Sequence, residues 1–343
     1  MRKILLAVLA CISLSASFGA SISGPVVDDP RDNSLPVHLD PHQVVGYESC
    51  EKCHAAEIRV WKQTPHHSTF KTLHRNPAAR KIASAMGIDS FKEDSECIKC
   101  HYTMKHTDHG LSAISGISCE SCHGAARDWI NVHNDYGGEH VTRLTESTEH
   151  RIQRLRNSIA GGMRNPVNVY LVARSCYRCH TVPSEKLVNV GGHNAGSLDF
   201  ELVSWSQGMI RHNFVRSDGQ TNDPSDRGRL RVMFVAGMIA DLEFSVRASA
   251  SATAKGTTFS DTSYERAKRA VKRVLAVRKK IGSPILDEVI EAIQGIRLGP
   301  THREALLEAA DAISAAGVKF AATVTPEQLE AIDGFIPPES KWR

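Results

Sequence analysis

The chain has 343 residues, of which 41% are hydrophobic and 23% charged, a balance that suits a folded soluble protein and is not that of a mostly disordered chain. Its formal net charge of +4 is too close to neutral to favour a nucleic-acid partner. Aromatic residues make up only 6% of the chain and the nine cysteines are too few for a dense disulfide scaffold, so another component is expected to fill part of the core.

The amino terminus has the pattern of a secretory signal peptide, predicted over residues 1–22. Arg2 and Lys3 precede an apolar run at 4–12, and small residues follow at 15–23. Cys11 ends a string that resembles a lipoprotein cleavage box, but the ten residues before it are short for any signal. No later apolar run approaches the roughly 20 residues of a transmembrane helix. The mature protein is therefore expected to be soluble and periplasmic, or otherwise extracytoplasmic.

The other eight cysteines form four pairs with one spacing, and a histidine follows each pair. The motifs are Cys50-x-x-Cys53-His54, Cys97-x-x-Cys100-His101, Cys119-x-x-Cys122-His123 and Cys176-x-x-Cys179-His180. Paired cysteines alone would also suit a zinc site or a redox dithiol. A histidine after all four pairs is typical of c-type haem attachment. On one helical turn the two thiols and the imidazole share a face, so the thiols can reach the vinyl groups while the histidine binds the iron.

The sequence thus predicts four covalently attached haem c groups, whose porphyrins would supply core that aromatic residues normally provide. Of the 13 histidines outside the motifs, 12 lie between His38 and His212, and no cysteine follows Cys179. This distribution predicts a tetrahaem domain at 44–215 and a separate carboxy-terminal helical region at 224–343.

The motif-bearing region resembles the tetrahaem cytochrome c-554 family. The matching strings are Cys50-Glu-Lys-Cys-His54 followed by Trp61 and His66, Cys97-Ile-Lys-Cys-His101, Gly116-Ile-Ser-Cys-Glu-Ser-Cys-His-Gly124 followed by His133, and Cys176-Tyr-Arg-Cys-His180. Members of this family are periplasmic carriers that take electrons from hydroxylamine oxidoreductase. The resemblance implies a mostly α-helical multihaem cytochrome c, with closely stacked haems and histidines on both faces of most irons.

The resemblance also implies two distal ligands by position. His66, five residues after Trp61, is expected to bind the iron of the fourth haem, with the adjacent His67 as its competitor. His133, ten residues after His123, is expected to bind the iron of the first haem.

The third haem departs from the family pattern, because Leu171 stands near the place where the family has a histidine. Its ligand is expected downstream, at His193 or His212, where neighbouring glycines permit a close backbone approach. His140 and His150 are the upstream alternatives.

In the family the second haem can lack a distal protein ligand, which leaves one iron face open. Met104, His106 and His109 follow His101 in this chain, but a ligand so near its own motif would have difficulty reaching around the porphyrin edge.

The last third of the chain predicts a helical bundle or extension. One long helix is expected over 224–250, with its apolar face at Leu230, Phe234, Met238, Leu242 and Phe244. Further helices are expected from the capping box at Thr262 to Gly282, over 284–296, over 301–316, and briefly after Thr325.

The second of these helices is strongly basic. Beside Glu265 it carries Arg266, Lys268, Arg269, Lys272, Arg273, Arg278, Lys279 and Lys280. A solvated face is the simplest interpretation, and pairing with haem propionates or docking of an acidic partner are the alternatives.

These features favour an electron carrier without catalytic residues, because iron between two histidines has no vacant position and exchanges one electron with little rearrangement. The expected partners are redox proteins, either a hydroxylamine-oxidoreductase-like donor or another cytochrome. The alternative is an oxidoreductase that acts on a small nitrogen or oxygen compound at an open haem, most plausibly the one at Cys97 and Cys100. A haem-based sensor is a third hypothesis.

Overall fold

The computed structural model describes residues 39–93 and 95–343. The predicted signal peptide and Cys11 lie outside the described residues. The described chain is mostly α-helical, as expected from the sequence. Within it, no helix combines the length and the apolar character that a bilayer span requires.

The amino-terminal part contains short helices around one β-hairpin. These elements are α1 (Glu48–Trp61), α2 (Pro65–Thr72), α3 (Pro77–Met86), α4 (Ile98–His101), β1 (Thr103–Thr107), β2 (Gly110–Ser115) and α5 (Cys119–His123). The side chains of Thr64 and Asn76 accept backbone N–H groups at the starts of α2 and α3, each just before a proline at the first helical position. Strands β1 and β2 pair antiparallel.

The middle of the chain contains α6 (Thr148–Ala160), α7 (Val169–His180), α8 (Glu185–Asn189) and α9 (Leu202–Ser206). The carboxy-terminal part contains α10 (Arg227–Ala250), α11 (Thr258–Ile281), α12 (Pro284–Ile293) and α13 (Arg303–Thr323). A 3-10 segment, Pro326–Phe335, follows these helices.

Helix α10 is the central element of the largest hydrophobic core. It contacts α7, α9, α11, α13 and the 3-10 segment that follows them. All five residues of its predicted apolar face are buried, and so is most of the opposite face. Gly237 explains one close approach, because a Cβ there would lie 2.5 Å from the Cβ of Leu202 in α9. Because other elements cover α10 on every side, the helix buries more residues than the apolar face that its sequence pattern predicts.

The predicted helix boundaries differ most from those observed at α11 and α13. Helix α11 begins four residues before Thr262, because Thr257 and Ser260 form its capping box, while Gly282 ends it in the left-handed conformation as expected. Helix α13 continues to Thr323 because its apolar positions, up to Phe320, still pack into the core.

The core extends across the predicted domain boundary near residue 215. It includes Val169, Tyr170, Ala173 and Tyr177 of α7 together with the buried faces of α10 to α13. The helix that carries the fourth motif therefore packs directly on the carboxy-terminal helices, and the two-domain organisation stays a prediction.

Candidate haem-binding site

Each of the four motifs lies where a helix ends or is interrupted. His101, His123 and His180 are the last residues of α4, α5 and α7. His54 lies within α1 but has non-helical dihedral angles, φ −116° and ψ 35°. The helical turn before each histidine brings the two cysteines onto one face, since residues i and i+3 are neighbours on a helix.

Three of the motif histidines are half-buried and have lowered pKa values. Burial, with smaller contributions from nearby histidines, lowers the pKa of His101 to about 4, of His123 to about 3 and of His180 to about 4. A neutral imidazole keeps one nitrogen lone pair available, which is the form that binds a metal ion.

Each motif histidine faces one histidine from outside the motifs. The distances between ring centres are 6.3 Å for His54 and His133, 6.4 Å for His101 and His193, 6.1 Å for His123 and His212, and 6.3 Å for His180 and His66. Rings at this separation are too far apart for van der Waals stacking, and the distance is nearly the same in all four pairs.

This separation fits a metal ion shared by two imidazoles. Metal–nitrogen bonds of about 2 Å on each side, plus about 1 Å from each nitrogen to its ring centre, place the two ring centres about 6 Å apart. The residues present therefore fit an iron held between two histidines at each motif. No group of three or more histidine, cysteine or acidic side chains forms a separate metal site in the part of the chain that the structure describes.

Backbone hydrogen bonds orient three of the outer histidines. The Nδ1 atoms of His133, His193 and His212 lie 2.7 Å from the carbonyl oxygens of Ile130, Asn194 and Ile210, respectively. A carbonyl oxygen only accepts, so each Nδ1 carries the proton and donates it. The Nε2 atom of each ring is thereby left as the acceptor that can bind a metal ion.

The other candidate ligands point to different neighbours. The ring of His67 packs edge-on against Trp61, at 4.7 Å between ring centres, so that His66 rather than His67 faces His180. His150 is 2.7 Å from the carboxylate of Glu146, and His140 is exposed. Of the two downstream histidines that were expected near the third motif, His212 lies there and His193 lies opposite His101 of the second motif.

The motifs themselves lie close together in pairs. The thiols of Cys50 and Cys119 are within hydrogen-bonding distance, and so are those of Cys100 and Cys179. None of the eight motif cysteines forms a disulfide bond. Glu120 lies inside the third motif, and its buried carboxylate accepts the backbone N–H groups of Val45 and Gly46 at 2.9 and 2.8 Å. These two residues come just before the helix of the first motif, so the bonds hold the first motif near the third.

Sequence reasoning missed the residues that support the histidines. Phe200 stacks on the ring of His180, with ring centres 4.0 Å apart, and Trp205 lies beside both. Arg154 donates to the carbonyl oxygen of His133 at 2.6 Å and is itself held by Glu146. The Arg154 guanidinium is the main reason that the pKa of Glu146 is lowered to about 2. No motif marks these residues, since their roles depend on contacts between distant parts of the chain.

The basic helix α11 uses several of its charges within the molecule. Arg266 and Arg273 both pair with the buried carboxylate of Asp241, at 2.7 and 3.2 Å. Arg269 and Arg278 form exposed ion pairs with Glu265 and Asp287. The lysines of the helix are exposed to solvent.

The region of the first three motifs is similar to one known family. Residues 49–124 match the family model described as cytochrome c554 and c-prime. A relative, cytochrome c-554 from Nitrosomonas europaea, is 28% identical over 100 residues, which are 27% of this chain and 43% of that protein. The chain thus spans less than half the length of this relative. No solved structure matches this chain. The match over residues 49–124, the four motifs and the mostly helical fold together support a multihaem c-type cytochrome that is similar to the cytochrome c554 family and binds haem c covalently.

Proposed function

We propose that this protein is an extracytoplasmic electron carrier with four covalently attached haems, whose irons are held by pairs of histidines. The four imidazole pairs carry the proposal, because every motif histidine faces a histidine from outside the motifs at 6.1–6.4 Å. The two cysteines of each motif, which form no disulfide, supply the two thiols that covalent attachment of one haem requires.

Haem iron that alternates between the ferric and ferrous states supplies the one-electron chemistry. Where two histidines hold the iron, they would leave no position on it for a substrate. The hydrogen bonds from Nδ1 to backbone carbonyl oxygens hold His133, His193 and His212 in one orientation. Fixed ligands keep the rearrangement between oxidation states small, which favours electron exchange over bond chemistry.

The contacts between motifs suggest an order for the electron path. The first and third motifs adjoin through Cys50 and Cys119, and the second and fourth through Cys100 and Cys179. The third and fourth motifs are joined by Ser175, whose hydroxyl donates to the carbonyl oxygen of Cys122 at 3.0 Å. Helix α7, which carries the fourth motif, thus links the two pairs, and the proposed order is first, third, fourth and second motif.

The proposed partners are redox proteins, either a hydroxylamine-oxidoreductase-like donor or another cytochrome. The signal-peptide pattern at 1–22 supports an extracytoplasmic compartment. In such a compartment, paired cysteines that are not bound to haem would form disulfides.

Mass spectrometry and ferric electron paramagnetic resonance of the purified protein would test the proposal together. The expected result is a chain heavier than its amino acids by four haems, with low-spin signals from the haems that two histidines hold. A colourless chain of bare peptide mass would remove the basis of the proposal. Steady turnover of hydroxylamine or nitrite at a high-spin haem would instead identify an oxidoreductase.

A further inference from the structure

We propose that His193 is the second axial ligand at the motif of Cys97, Cys100 and His101, so that the second haem is closed to small ligands. This inference rests on the proposed function, because it needs haem at the second motif. It departs from the open second iron that the family resemblance implies, and also from the expectation that His193 serves the third motif.

The separation of the two rings carries the assignment. The ring centres of His101 and His193 are 6.4 Å apart, within 0.3 Å of the distances in the other three histidine pairs. Each pair combines a motif histidine with a different outer histidine, so His193 is not needed at another motif. His212, the other downstream histidine, already faces His123 of the third motif.

The loop that carries His193 is positioned by contacts that only glycine allows. Gly191 approaches α8 and α3 so closely that a Cβ would lie 2.6 Å from the carbonyl oxygen of Leu187 and 3.0 Å from Met86. Gly196, with φ +84°, passes over the end of α7, where a Cβ would lie 2.6 Å from the carbonyl oxygen of His180. The second and fourth motifs are themselves adjacent, so the loop that crosses the fourth motif delivers His193 to the second.

Two hydrogen bonds then fix the ring of His193. Its backbone N–H donates to the carbonyl oxygen of Leu187 at 3.1 Å. Its Nδ1 donates to the carbonyl oxygen of Asn194 at 2.7 Å, which leaves Nε2 as the nitrogen that can bind iron. This is the same arrangement that orients His133 and His212.

The residues that follow the second motif in sequence are occupied elsewhere. Met104 is buried in β1, where it pairs with Ala113 of β2. The ring of His106 stacks on His42, with ring centres 4.2 Å apart. His109 lies in the turn of the hairpin, where its backbone N–H donates to the Thr107 hydroxyl. His193 is the histidine that the fold brings to His101.

The test compares His193→Ala with wild type, both as the full haem-loaded protein. Wild type is expected to contain four low-spin haems and to bind no carbon monoxide after reduction. The variant is expected to lose one low-spin haem in four, to gain one high-spin haem, and to bind one carbon monoxide per chain. Added imidazole should restore the fourth low-spin signal. His140→Ala, which changes an exposed histidine, is the matched control and should resemble wild type.

Near-infrared magnetic circular dichroism of wild type provides a measurement that needs no variant, since it counts haems with two histidine ligands. Four such haems support the inference. If only three such haems are found, with one carbon monoxide bound per wild-type chain and no change in His193→Ala, the inference about His193 is wrong. The carrier proposal then still stands. Fewer than three, or chains without four haems, would count against the proposed function itself.

Discussion

The phenol of Tyr170 donates to the carboxylate of Glu243 at 2.7 Å, and both side chains are fully buried. The same carboxylate accepts two hydrogen bonds from Arg174, each 3.0 Å long, and one from Arg247 at 2.9 Å. Tyr170 and Arg174 belong to α7, which ends in the fourth motif, whereas Glu243 belongs to the central helix α10. This network therefore connects a haem-attachment helix to the carboxy-terminal core.

Replacing Glu243 should destabilise the whole protein. Glu243→Ala would leave the buried Arg174 without this carboxylate, and removing one partner of a buried ion pair costs about 3–5 kcal/mol. Unfolding in urea, followed by circular dichroism, would measure the loss. Glu265→Ala removes an exposed carboxylate that pairs with Arg269 and should leave the unfolding midpoint nearly unchanged. Equal midpoints for the two variants would show that the buried network does not stabilise the fold.

The contact between α7 and α13 depends on a glycine. A Cβ at Gly317 of α13 would overlap the ring of Tyr170, which is fully buried and hydrogen-bonded to Glu243. Gly317→Ala should therefore destabilise the protein by about 1–3 kcal/mol, the usual cost of overpacking a core. Thermal unfolding would measure the effect. At Gly334 a Cβ would meet no atom within 4 Å, so Gly334→Ala is the matched control and should have little effect.

The sequence pattern identified the residues whose chemistry is local and missed those whose role depends on the fold. Four cysteine–histidine motifs can be recognised because attachment of haem needs fixed spacing along the chain. The position of His193 opposite His101 could not be predicted from spacing, because it depends on a glycine loop that crosses the end of α7. The burial of Asp241 and Glu243 was equally hidden, since each is balanced by arginines from other helices.

The Glu146–Arg154 pair should make stability depend on pH at the acidic end. The hydrogen bond from Arg154 lowers the pKa of Glu146 to about 2 in the folded protein, below its usual value of 4.5. A carboxyl group with a lowered folded pKa stabilises the fold above its unfolded pKa, and this contribution is lost as the pH falls towards the folded pKa. Glu146→Gln should thus be less stable than wild type at pH 7, and the difference should shrink between about pH 4.5 and pH 2.

Urea unfolding at several pH values would measure this convergence. Glu149→Gln, at an exposed position in the first turn of α6, is the control and should follow the wild-type curve. A Glu146→Gln curve parallel to wild type over the whole range would show that the pair does not titrate as its hydrogen bonds require.

The exposure of the outer histidines predicts different responses to their removal. His133 is partly buried, and its ring packs edge-on against Trp129, whereas His212 is exposed. Replacing either by alanine should convert one low-spin haem to high-spin while the four covalent haems are retained. Because solvent reaches His212 more readily, added imidazole should restore the low-spin signal at a lower concentration in His212→Ala than in His133→Ala.

Optical titration of both variants with imidazole would test this order, and covalent haem would be counted by mass spectrometry. His140→Ala should keep all low-spin signals, since this exposed side chain faces no motif histidine among the ring contacts of the described residues. An unchanged spectrum in His133→Ala would refute its assignment as the partner of His54. The reverse order of imidazole affinity would mean that access to the iron is controlled by the protein around the first motif, not by the exposure of the histidine itself.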